Sequence, residues 1–262
     1  MKIAIYQMSI RFSNPAGNLA GAEAFLREAA ARKADVAVLP EMWPTGFDLP
    51  NAGKYLSDAA HNAIPARLAE LARELRMDVM TGSMLTGDAR GRAYNTARYI
   101  SRTGAALAAY SKMHLYPLMA EDKYLTPGNA HAVFPTRFCP TAMAICYDLR
   151  FPELFRRYML DGAHLVLVSA EWPADHIGTM RELARIRAME NQYFVVVVNS
   201  TGTTGEYTLG GMSAVYDPVG RPVLECGAGE EIAYAEIDLS KIHKARTALP
   251  ALKSYRKDID WL

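Results

Sequence analysis

A cysteine at the end of an apolar segment is the residue of this chain best suited to chemistry. Residues 141–145 read Thr-Ala-Met-Ala-Ile, Cys146 follows directly, and Pro152 begins a helical pattern soon after. This pattern is typical of a buried strand that ends where open α/β folds place their functional groups. A thiol beside the first N–H groups of a turn is a candidate nucleophile, although free cysteine is also a common core residue.

A glutamate and a lysine follow two other strand-like segments in the same way. Glu41 comes directly after apolar residues 36–40, and Lys112 follows an alternating segment at residues 105–110. Either could be an ordinary solvated residue. A partly desolvated carboxylate, however, suits proton transfer, and an ammonium beside a thiol favours the thiolate and can donate to an oxyanion. The three residues together form a possible set for acyl transfer.

Composition and charge limit the class of protein and its partners. The chain has 262 residues, half of them apolar, which is enough for one large α/β domain. Its 29 Lys and Arg against 28 Asp and Glu leave a net charge of +1, so we expect neither a nucleic-acid nor an anionic-lipid partner. No apolar run approaches the ~20 residues of a membrane span, and the first residues do not resemble a signal peptide.

Cysteine usage indicates a reducing compartment. Cys139, Cys146 and Cys226 show no Cys-x-x-Cys pair and no accompanying histidine spacing. This pattern argues against a zinc site and against a disulfide framework, and it favours a soluble cytoplasmic protein.

The elements that position the candidate residues follow from hydrophobic periodicity. Helices are predicted for residues 18–33, with Asn18 as the N-cap, and for residues 65–76, 152–160 and 179–191. Strands are predicted for residues 2–8, 35–41, 77–85, 164–170 and 193–199, with a hairpin over 93–110 and an antiparallel finish over 210–237. We therefore expect one α/β domain, residues 1–262, of stacked sheets between helices.

The segments around these residues resemble the signature segments of the nitrilase superfamily of carbon–nitrogen hydrolases. They are Leu-Pro-Glu41, Tyr-Ser-Lys112-Met-His-Leu and Ile-Cys146-Tyr-Asp-Leu-Arg-Phe-Pro-Glu. The segment Glu121-Asp-Lys-Tyr-Leu-Thr-Pro-Gly resembles the second-glutamate loop of that family. The similarity continues through residues 187–191, 210–213 and 246–250. Five motifs in the family's order are a specific signal, and they cover nearly the whole chain.

The resemblance implies a fold, an oligomer and four residue roles. The fold is a four-layer αββα sandwich, which usually forms a homodimer or a higher homo-oligomer and carries no metal or organic cofactor. Glu41 is implied as general base, Lys112 as oxyanion partner, Cys146 as nucleophile and Glu121 as a further active-site carboxylate. We therefore expect an amidohydrolase that acts on a small-molecule amide through a thioester on Cys146.

Within the superfamily the chain most resembles the ω-amidases, which release ammonia from monoamides of dicarboxylic 2-oxo acids such as 2-oxoglutaramate. The similar segments are residues 146–154, residues 170–173 and the C-terminal Leu-Pro-Ala-Leu-Lys-Ser-Tyr-Arg-Lys-Asp-Ile-Asp. Glu171 departs from the pattern, because relatives carry an amide or a small residue there. An acid facing the pocket would repel a substrate carboxylate, unless a structural partner such as Arg150 holds it.

Substrate contacts are less well defined by the sequence. Arg150 is the cation nearest in sequence to Cys146, but we favour an internal ion pair with Glu153 over a contact with substrate. His114 is expected to support the site rather than to react. Aromatic residues near the motifs are predicted as pocket walls, although such residues are often core: Trp43, Phe47, Tyr124, Tyr147 and Trp172.

Two other functions remain open at this level. A hydrolase of N-carbamoyl amino acids or of short aliphatic amides would share every catalytic residue. A binding module without catalysis could also use the same fold. Ammonia release from different amides separates these alternatives.

Overall fold

The computed structural model describes residues 1–256 and 258–259. Its strands are β1 (Lys2–Gln7), β2 (Ser9–Ile10), β3 (Val36–Val38), β4 (Asp78–Gly87), β5 (Ala93–Ile100), β6 (Ala106–Ser111), β7 (Val133–Pro135), β8 (Pro140–Ile145), β9 (Leu165–Ala170), β10 (Phe194–Asn199), β11 (Thr201–Thr204), β12 (Tyr207–Gly210), β13 (Ala214–Tyr216), β14 (Pro222–Glu225) and β15 (Glu231–Glu236). The first sheet has the order β15-β1-β3-β4-β5-β6, and the second has the order β14-β13-β10-β9-β8-β7. A small third sheet has the order β12-β11-β2.

The longer helices cover the outer faces of the two large sheets. They are α1 (Pro15–Ala31), α2 (Ala52–Ser57), α3 (Ala59–Leu75), α4 (Glu121–Tyr124), α5 (Pro152–Leu160), α6 (Ile177–Asn191) and α7 (Ser240–Ala248). Within residues 1–256 and 258–259, no helix combines the length and the apolar character that crossing a membrane would need.

Side-chain alternation sets the four layers. On β1, Ile3 and Ile5 belong to the core shared by the two large sheets, whereas Ala4 faces α1 and α3. The second sheet packs its other face against α5 and α6. Every residue of β10 is buried, as expected for a strand covered on both faces. The predicted αββα sandwich is confirmed.

The first helix begins earlier than the sequence indicated. Its N-cap is Asn14, whose side chain accepts a backbone N–H of the first turn at 3.0 Å. Pro15 favours this start, because its fixed φ suits the first helical position. Asn18 lies inside the helix and is buried, where it joins the backbones of Arg11 and Pro44. The predicted cap at Asn18 is therefore wrong.

The third helix also begins earlier, at Ala59 rather than at Pro65. The side chain of Asp58 caps it by accepting the N–H of Ala60 at 2.9 Å. Because proline lacks the N–H of one helical hydrogen bond, the sequence predicts that this helix begins at Pro65. The turn before it is instead stabilised by the cap and by the burial of Ile64.

The C-terminal strands join the two large sheets. β13 and β14 pair at the edge of the second sheet, whereas β15 returns to pair antiparallel with β1 in the first. The predicted antiparallel finish over 210–237 is interrupted near its start, because Gly211 and Met212 both have a φ of +59°. Residues 257 and 260, part of the C-terminal segment that resembles ω-amidases, and residues 261–262 lie outside the described residues.

Candidate active site

Cys146 occupies a sharp turn at the C-terminal end of β8. Its φ is +45°, in the left-handed region that residues other than glycine rarely adopt. A 3-10 helix runs from it over Cys146–Arg150. The N–H group of Tyr147 lies in the first turn of this helix, where N–H groups lack an intrahelical acceptor. Strained backbone held in this way is frequent at functional sites.

Asp148 holds this turn in place, although the sequence did not identify it. Its buried carboxylate accepts the backbone N–H of Ile145 at 3.0 Å, the hydroxyl of Tyr110 at 2.6 Å and the backbone N–H of His114 at 3.1 Å. The ring Nδ1 of His114 lies 2.8 Å from the same carboxylate, and the ring stacks on Phe151. His114 therefore contacts Asp148, the residue that holds the turn. The sequence signal for Asp148 was its place two residues after the cysteine.

Glu41 lies where the two large sheets meet. It follows Pro40 beyond the end of β3, is fully buried, and precedes Met42, whose φ is +44°. Its backbone N–H donates to the carbonyl of Ala170 at the end of β9, at 3.3 Å. Its Oε2 accepts the backbone N–H of Glu171 at 2.9 Å. The end of a strand from each sheet thus fixes this carboxylate.

Lys112 joins two carboxylates in the interior. Its Nζ donates to Oε1 of Glu41 at 2.9 Å and to Oε2 of Glu121 at 2.6 Å, and none of the three side chains is exposed. Burial acts to lower the pKa of Lys112, but the charges of Glu121 and Glu41 outweigh it and raise that pKa well above its usual value. Lys112 is therefore a fixed cation with one N–H left for a further acceptor.

Glu121 begins α4, directly after Ala120 in a left-handed conformation. Its Oε2 also accepts the backbone N–H of Tyr116 at 2.6 Å. Burial raises the pKa of Glu121, the charge of Lys112 opposes this, and the charge of Glu41 adds to it, so that the net shift is upward. One ammonium thus serves two carboxyl groups.

Asn95 completes this cluster and was missed by sequence reasoning. Its Nδ2 donates to Oε1 of Glu41 at 2.8 Å and to Oε1 of Glu121 at 3.2 Å. The backbone N–H of Lys112 donates to the carbonyl of Asn95 at 2.9 Å. Pairing of β5 with β6 therefore places Asn95 beside Lys112. The predicted hairpin was a signal for that proximity but not for the contacts with two distant carboxylates.

The surroundings of Cys146 keep its thiol protonated. Burial and the charge of Glu41 raise the pKa of Cys146 well above its usual value. Lys112 and the backbone N–H of Glu171 lower it, as expected from the sequence for Lys112, but by less. A protonated thiol is a weak nucleophile, so attack requires a base beside it.

A small cavity leads to Cys146. It is lined by Tyr116, Cys146, Tyr147, Arg150, Trp172 and Pro173. Three of the residues predicted to bind substrate, Tyr147, Arg150 and Trp172, thus surround one opening. An opening with aromatic walls and one charged group suits a small-molecule substrate.

Arg150 is an unpaired cation at this cavity. Its guanidinium lies 5.2 Å from the ring centroid of Trp172 and 5.9 Å from that of Tyr147. Among residues 1–256 and 258–259 it forms no ion pair and no hydrogen bond through its side chain. The favoured internal pair with Glu153 is therefore wrong, because the chain turns into α5 between the two residues and Glu153 is exposed.

Other predicted pocket walls lie elsewhere. Trp43 is fully buried in the core between the first sheet and its helices, and its indole N–H donates to the carbonyl of Thr81 at 2.8 Å. That prediction is wrong, because the chain turns at Met42 and directs Trp43 inward. Tyr124 is an exposed residue of α4 and does not line the cavity. Phe47 lies near the buried ammonium, with its ring centroid 5.7 Å from Nζ of Lys112.

Glu171 is a buried acid without a partner. The side chain is fully buried, and neither carboxyl oxygen meets hydrogen-bonding geometry with any group in the described part of the chain. Burial and the charge of Glu41 raise the pKa of Glu171 well above its usual value, while Thr204 and Lys112 oppose the shift. The suggested tie to Arg150 is therefore wrong, and the surroundings of Glu171 favour its protonated form.

The chain is similar to carbon–nitrogen hydrolases in sequence. A family model described as carbon-nitrogen hydrolase matches residues 2–247. The chain is 35% identical over 257 residues to the 2-oxoglutaramate amidase of Bacillus subtilis strain 168, with 98% of each chain covered. It is 32% identical over 271 residues to omega-amidase NIT2 of Homo sapiens, which covers 98% of this chain and 96% of that protein.

Solved structures show the same architecture. Nit3 of Saccharomyces cerevisiae, a member of branch 10 of the nitrilase superfamily, gives a TM-score of 0.88 at 28% identity and covers 95% of this chain and 94% of its own. A mutant amidase from Nesterenkonia sp. AN1 gives a TM-score of 0.85 at 25% identity and covers 98% and 97%. In that structure the acetamide moiety of fluoroacetamide is covalently attached to the active site cysteine.

Proposed function

The chain belongs to the carbon–nitrogen hydrolase family, and from this premise we propose that it releases ammonia from small carboxylate-bearing amides of the 2-oxoglutaramate type. The reaction proceeds through a thioester on Cys146. The observation that carries the proposal is the unpaired guanidinium of Arg150 in the cavity that leads to Cys146. The relatives named 2-oxoglutaramate amidase and omega-amidase support the same substrate class.

Acylation begins with the protonated thiol of Cys146. Glu41 takes the thiol proton as sulfur attacks the amide carbonyl, which places negative charge on the carbonyl oxygen. This step needs a base because the raised pKa of Cys146 favours the protonated thiol. Since the base and thiol are both held by strand ends, the proton moves within a fixed geometry.

Lys112 and the backbone N–H of Tyr147 stabilise the tetrahedral oxyanion. Two donors of Lys112 are engaged by Glu41 and Glu121, and its third can point to the oxyanion. Such donors act strongly because the cluster is closed to water. Ammonia then leaves with the proton that Glu41 received, and the acyl group stays on sulfur.

Water completes the cycle. Glu41 takes a proton from the water as oxygen attacks the thioester, and returns it to the thiolate when the carbon–sulfur bond breaks. Hydrogen bonds from Asn95 and to Glu121 keep Lys112 and Glu41 in fixed positions through both half-reactions. Because Lys112 carries the charge of the cluster permanently, it donates in both half-reactions.

Arg150 selects a substrate with a distal carboxylate. Its guanidinium is exposed at the opening and flanked by the rings of Tyr147 and Trp172, which limit its rotation. A planar, permanently charged group suits a carboxylate that lies one short carbon chain away from the reacting amide. The raised pKa of Glu171 favours its protonated form and so weakens the repulsion that a charged acid there would cause.

A comparison of three amides tests this function. Ammonia release should be fastest from 2-oxoglutaramate, and slower from an N-carbamoyl amino acid and from butyramide. Each is measured as kcat/KM with Cys146→Ala as the blank. Activity confined to the last two amides would exclude an ω-amidase, and no activity on any amide would favour a binding module.

Hydrolysis of neutral aliphatic amides is the second candidate. The observation that favours it is the structural similarity to the Nesterenkonia amidase, one structure of which contains butyramide. The aromatic walls of the cavity, Tyr116, Tyr147 and Trp172, would also accept an apolar acyl chain.

We further propose a single-domain homodimer that acts in the cytoplasm. The outer helical layer exposes apolar side chains that a second copy could cover, among them Leu160, Ile186 and Met189. The three cysteines are free thiols, which suits a reducing compartment. Light scattering after size-exclusion chromatography should give twice the mass of the chain, and a monomer would contradict the dimer.

A further inference from the structure

Glu171 is the side chain of this site that the reaction above leaves unused. Its carboxyl group is fully buried, yet neither oxygen meets hydrogen-bonding geometry with a protein group among the described residues. Leaving such a group unsatisfied destabilises the folded protein. Buried polar groups in native proteins almost always bind a protein group, ordered water or a ligand. A fully buried acid that meets no hydrogen-bonding geometry next to Glu41 therefore indicates a polar partner other than a protein group.

The position of Glu171 decides which partner fits. The residues that line the substrate cavity include its neighbours Trp172 and Pro173 but not Glu171 itself. The backbone N–H of Glu171 donates to Oε2 of Glu41 at 2.9 Å, and the charge of Glu41 raises the pKa of the Glu171 carboxyl group, so the two acids are neighbours. The hydroxyl of Thr204 is a further polar neighbour, which lowers that pKa. A partner there is small and polar, and a water molecule with two to four polar neighbours fits it.

We propose that Glu171, together with Glu41, holds the water molecule that hydrolyses the thioester. Glu171 is then a positioning residue for the second half of the reaction and has no part in the first. This inference rests on the proposed thioester route. It explains why an acid is tolerated beside Glu41 and Glu121, since its role is to form hydrogen bonds rather than to carry charge.

The proton balance leaves Glu171 unchanged. Water gives one proton to Glu41 as its oxygen bonds to the thioester carbon, and the tetrahedral intermediate then expels the thiolate of Cys146. Glu41 returns the proton to the thiolate. Glu171 donates or accepts one hydrogen bond to the water and keeps its own proton, because burial and the charge of Glu41 disfavour its ionisation.

Two substitutions separate this role from a structural one. Glu171→Gln keeps the shape, the neutral charge and the ability to hydrogen bond, whereas Glu171→Met keeps the size but removes both polar atoms. Ammonia release in the first turnover reports acylation, and formation of the acid product reports deacylation. Both are followed by rapid quench, with intact-protein mass spectrometry to detect the acyl-enzyme.

The Met variant should acylate like the wild type but deacylate about tenfold more slowly, as expected for the loss of one hydrogen bond. Its mass spectrum should show the acyl-enzyme during turnover. The Gln variant should deacylate within about threefold of wild type. If the Met variant lacks a cooperative thermal transition, Glu171→Ala replaces it, with the same accumulation of acyl-enzyme expected.

Three results would overturn the inference. The first is equal slowing of acylation and deacylation in the apolar variant, without accumulated acyl-enzyme. The second is deacylation at the wild-type rate in that variant. The third is a Gln variant as impaired as the apolar one. A wild-type protein that forms no acyl-enzyme with any amide would instead contradict the proposed function.

Discussion

The ammonium–carboxylate cluster of Glu41, Lys112 and Glu121 differs from the rim of the cavity a few side chains away. In the cluster every charge has a partner, and none of the three side chains is exposed. At the rim, Arg150 is exposed, and its guanidinium lies 5.2 Å and 5.9 Å from the ring centroids of Trp172 and Tyr147. The first region is closed, whereas the second carries a charge that has no partner in the described part of the chain.

This difference separates the reaction from the choice of substrate. Closed, mutually bonded charges are preorganised for the same steps on any amide carbonyl. An unpaired guanidinium contributes only when the substrate brings a negative charge. Substitutions in the cluster should therefore lower activity on all amides, and substitutions at the rim should change the preference among them.

The largest effect is expected from Cys146→Ala, which removes the sulfur proposed to carry the acyl group. Activity should fall by at least about 10⁴-fold for charged and neutral amides alike. Cys139→Ala, at another buried thiol, is the matched control and should keep wild-type kcat. Steady-state ammonia release measures both. Measurable hydrolysis by Cys146→Ala would disprove the thioester route.

Lys112→Met should have the next largest effect, on rate and on stability. Loss of one oxyanion donor typically lowers the rate about 10²–10³-fold. Two buried carboxyl groups also lose their cation, which destabilises the fold by about 3–5 kcal/mol. The exposed Lys54→Met on α2 is the control for charge alone.

Urea unfolding and kcat on two amides measure the outcome. An equal loss for 2-oxoglutaramate and butyramide supports the division between cluster and rim. A loss confined to the charged amide would mean that Lys112 binds the substrate carboxylate instead.

The division also explains what the sequence could predict. Glu41, Lys112 and Cys146 each follow a strand, so periodicity and adjacent motifs located them. Asn95 and Asp148 act through contacts that depend on sheet register and on the fold of a turn. Neither residue type nor local spacing distinguishes such an amide or acid from an ordinary polar residue.

The predictions that Trp43 lines the pocket and that Arg150 pairs with Glu153 were wrong for a similar reason. Trp43 was assigned to the pocket because it lies two residues from Glu41, but the left-handed Met42 directs it into the core. The sequence favours an ion pair between Arg150 and Glu153 because the two opposite charges are close in the sequence. Contacts between side chains this near in sequence depend on the backbone path, which a pattern of residue types does not specify.

A smaller and more selective effect is expected for Arg150→Met. The KM for 2-oxoglutaramate should rise about 10–100-fold, since a hydrogen bond to a charged group contributes about 1.5–3 kcal/mol. The kcat/KM for butyramide should stay within about twofold. Arg150→Lys should lie between the two, and Arg157→Met, on the exposed face of α5, should match the wild type. A uniform loss on both substrates would place Arg150 in the reaction and remove the distinction between the regions.

The smallest effect, and the sharpest test of the interior, is the pH dependence of stability at Glu171. The folded protein keeps the Glu171 proton above the pH at which the unfolded chain releases it, because the folded-state pKa is raised from 4.5. The contribution of this proton to the unfolding free energy is therefore complete at low pH. It falls as pH rises through the interval between the unfolded-state and folded-state pKa values, by up to about 1.4 kcal/mol per pH unit.

Glu171→Gln does not titrate, so its unfolding free energy relative to wild type should increase from pH 5 to pH 7. Urea unfolding at each pH measures this, with the exposed Glu153→Gln expected to follow wild type throughout. A constant difference for Glu171→Gln would mean that the acid is ionised in the folded protein, and that the cluster holds an unpaired charge much as the rim does.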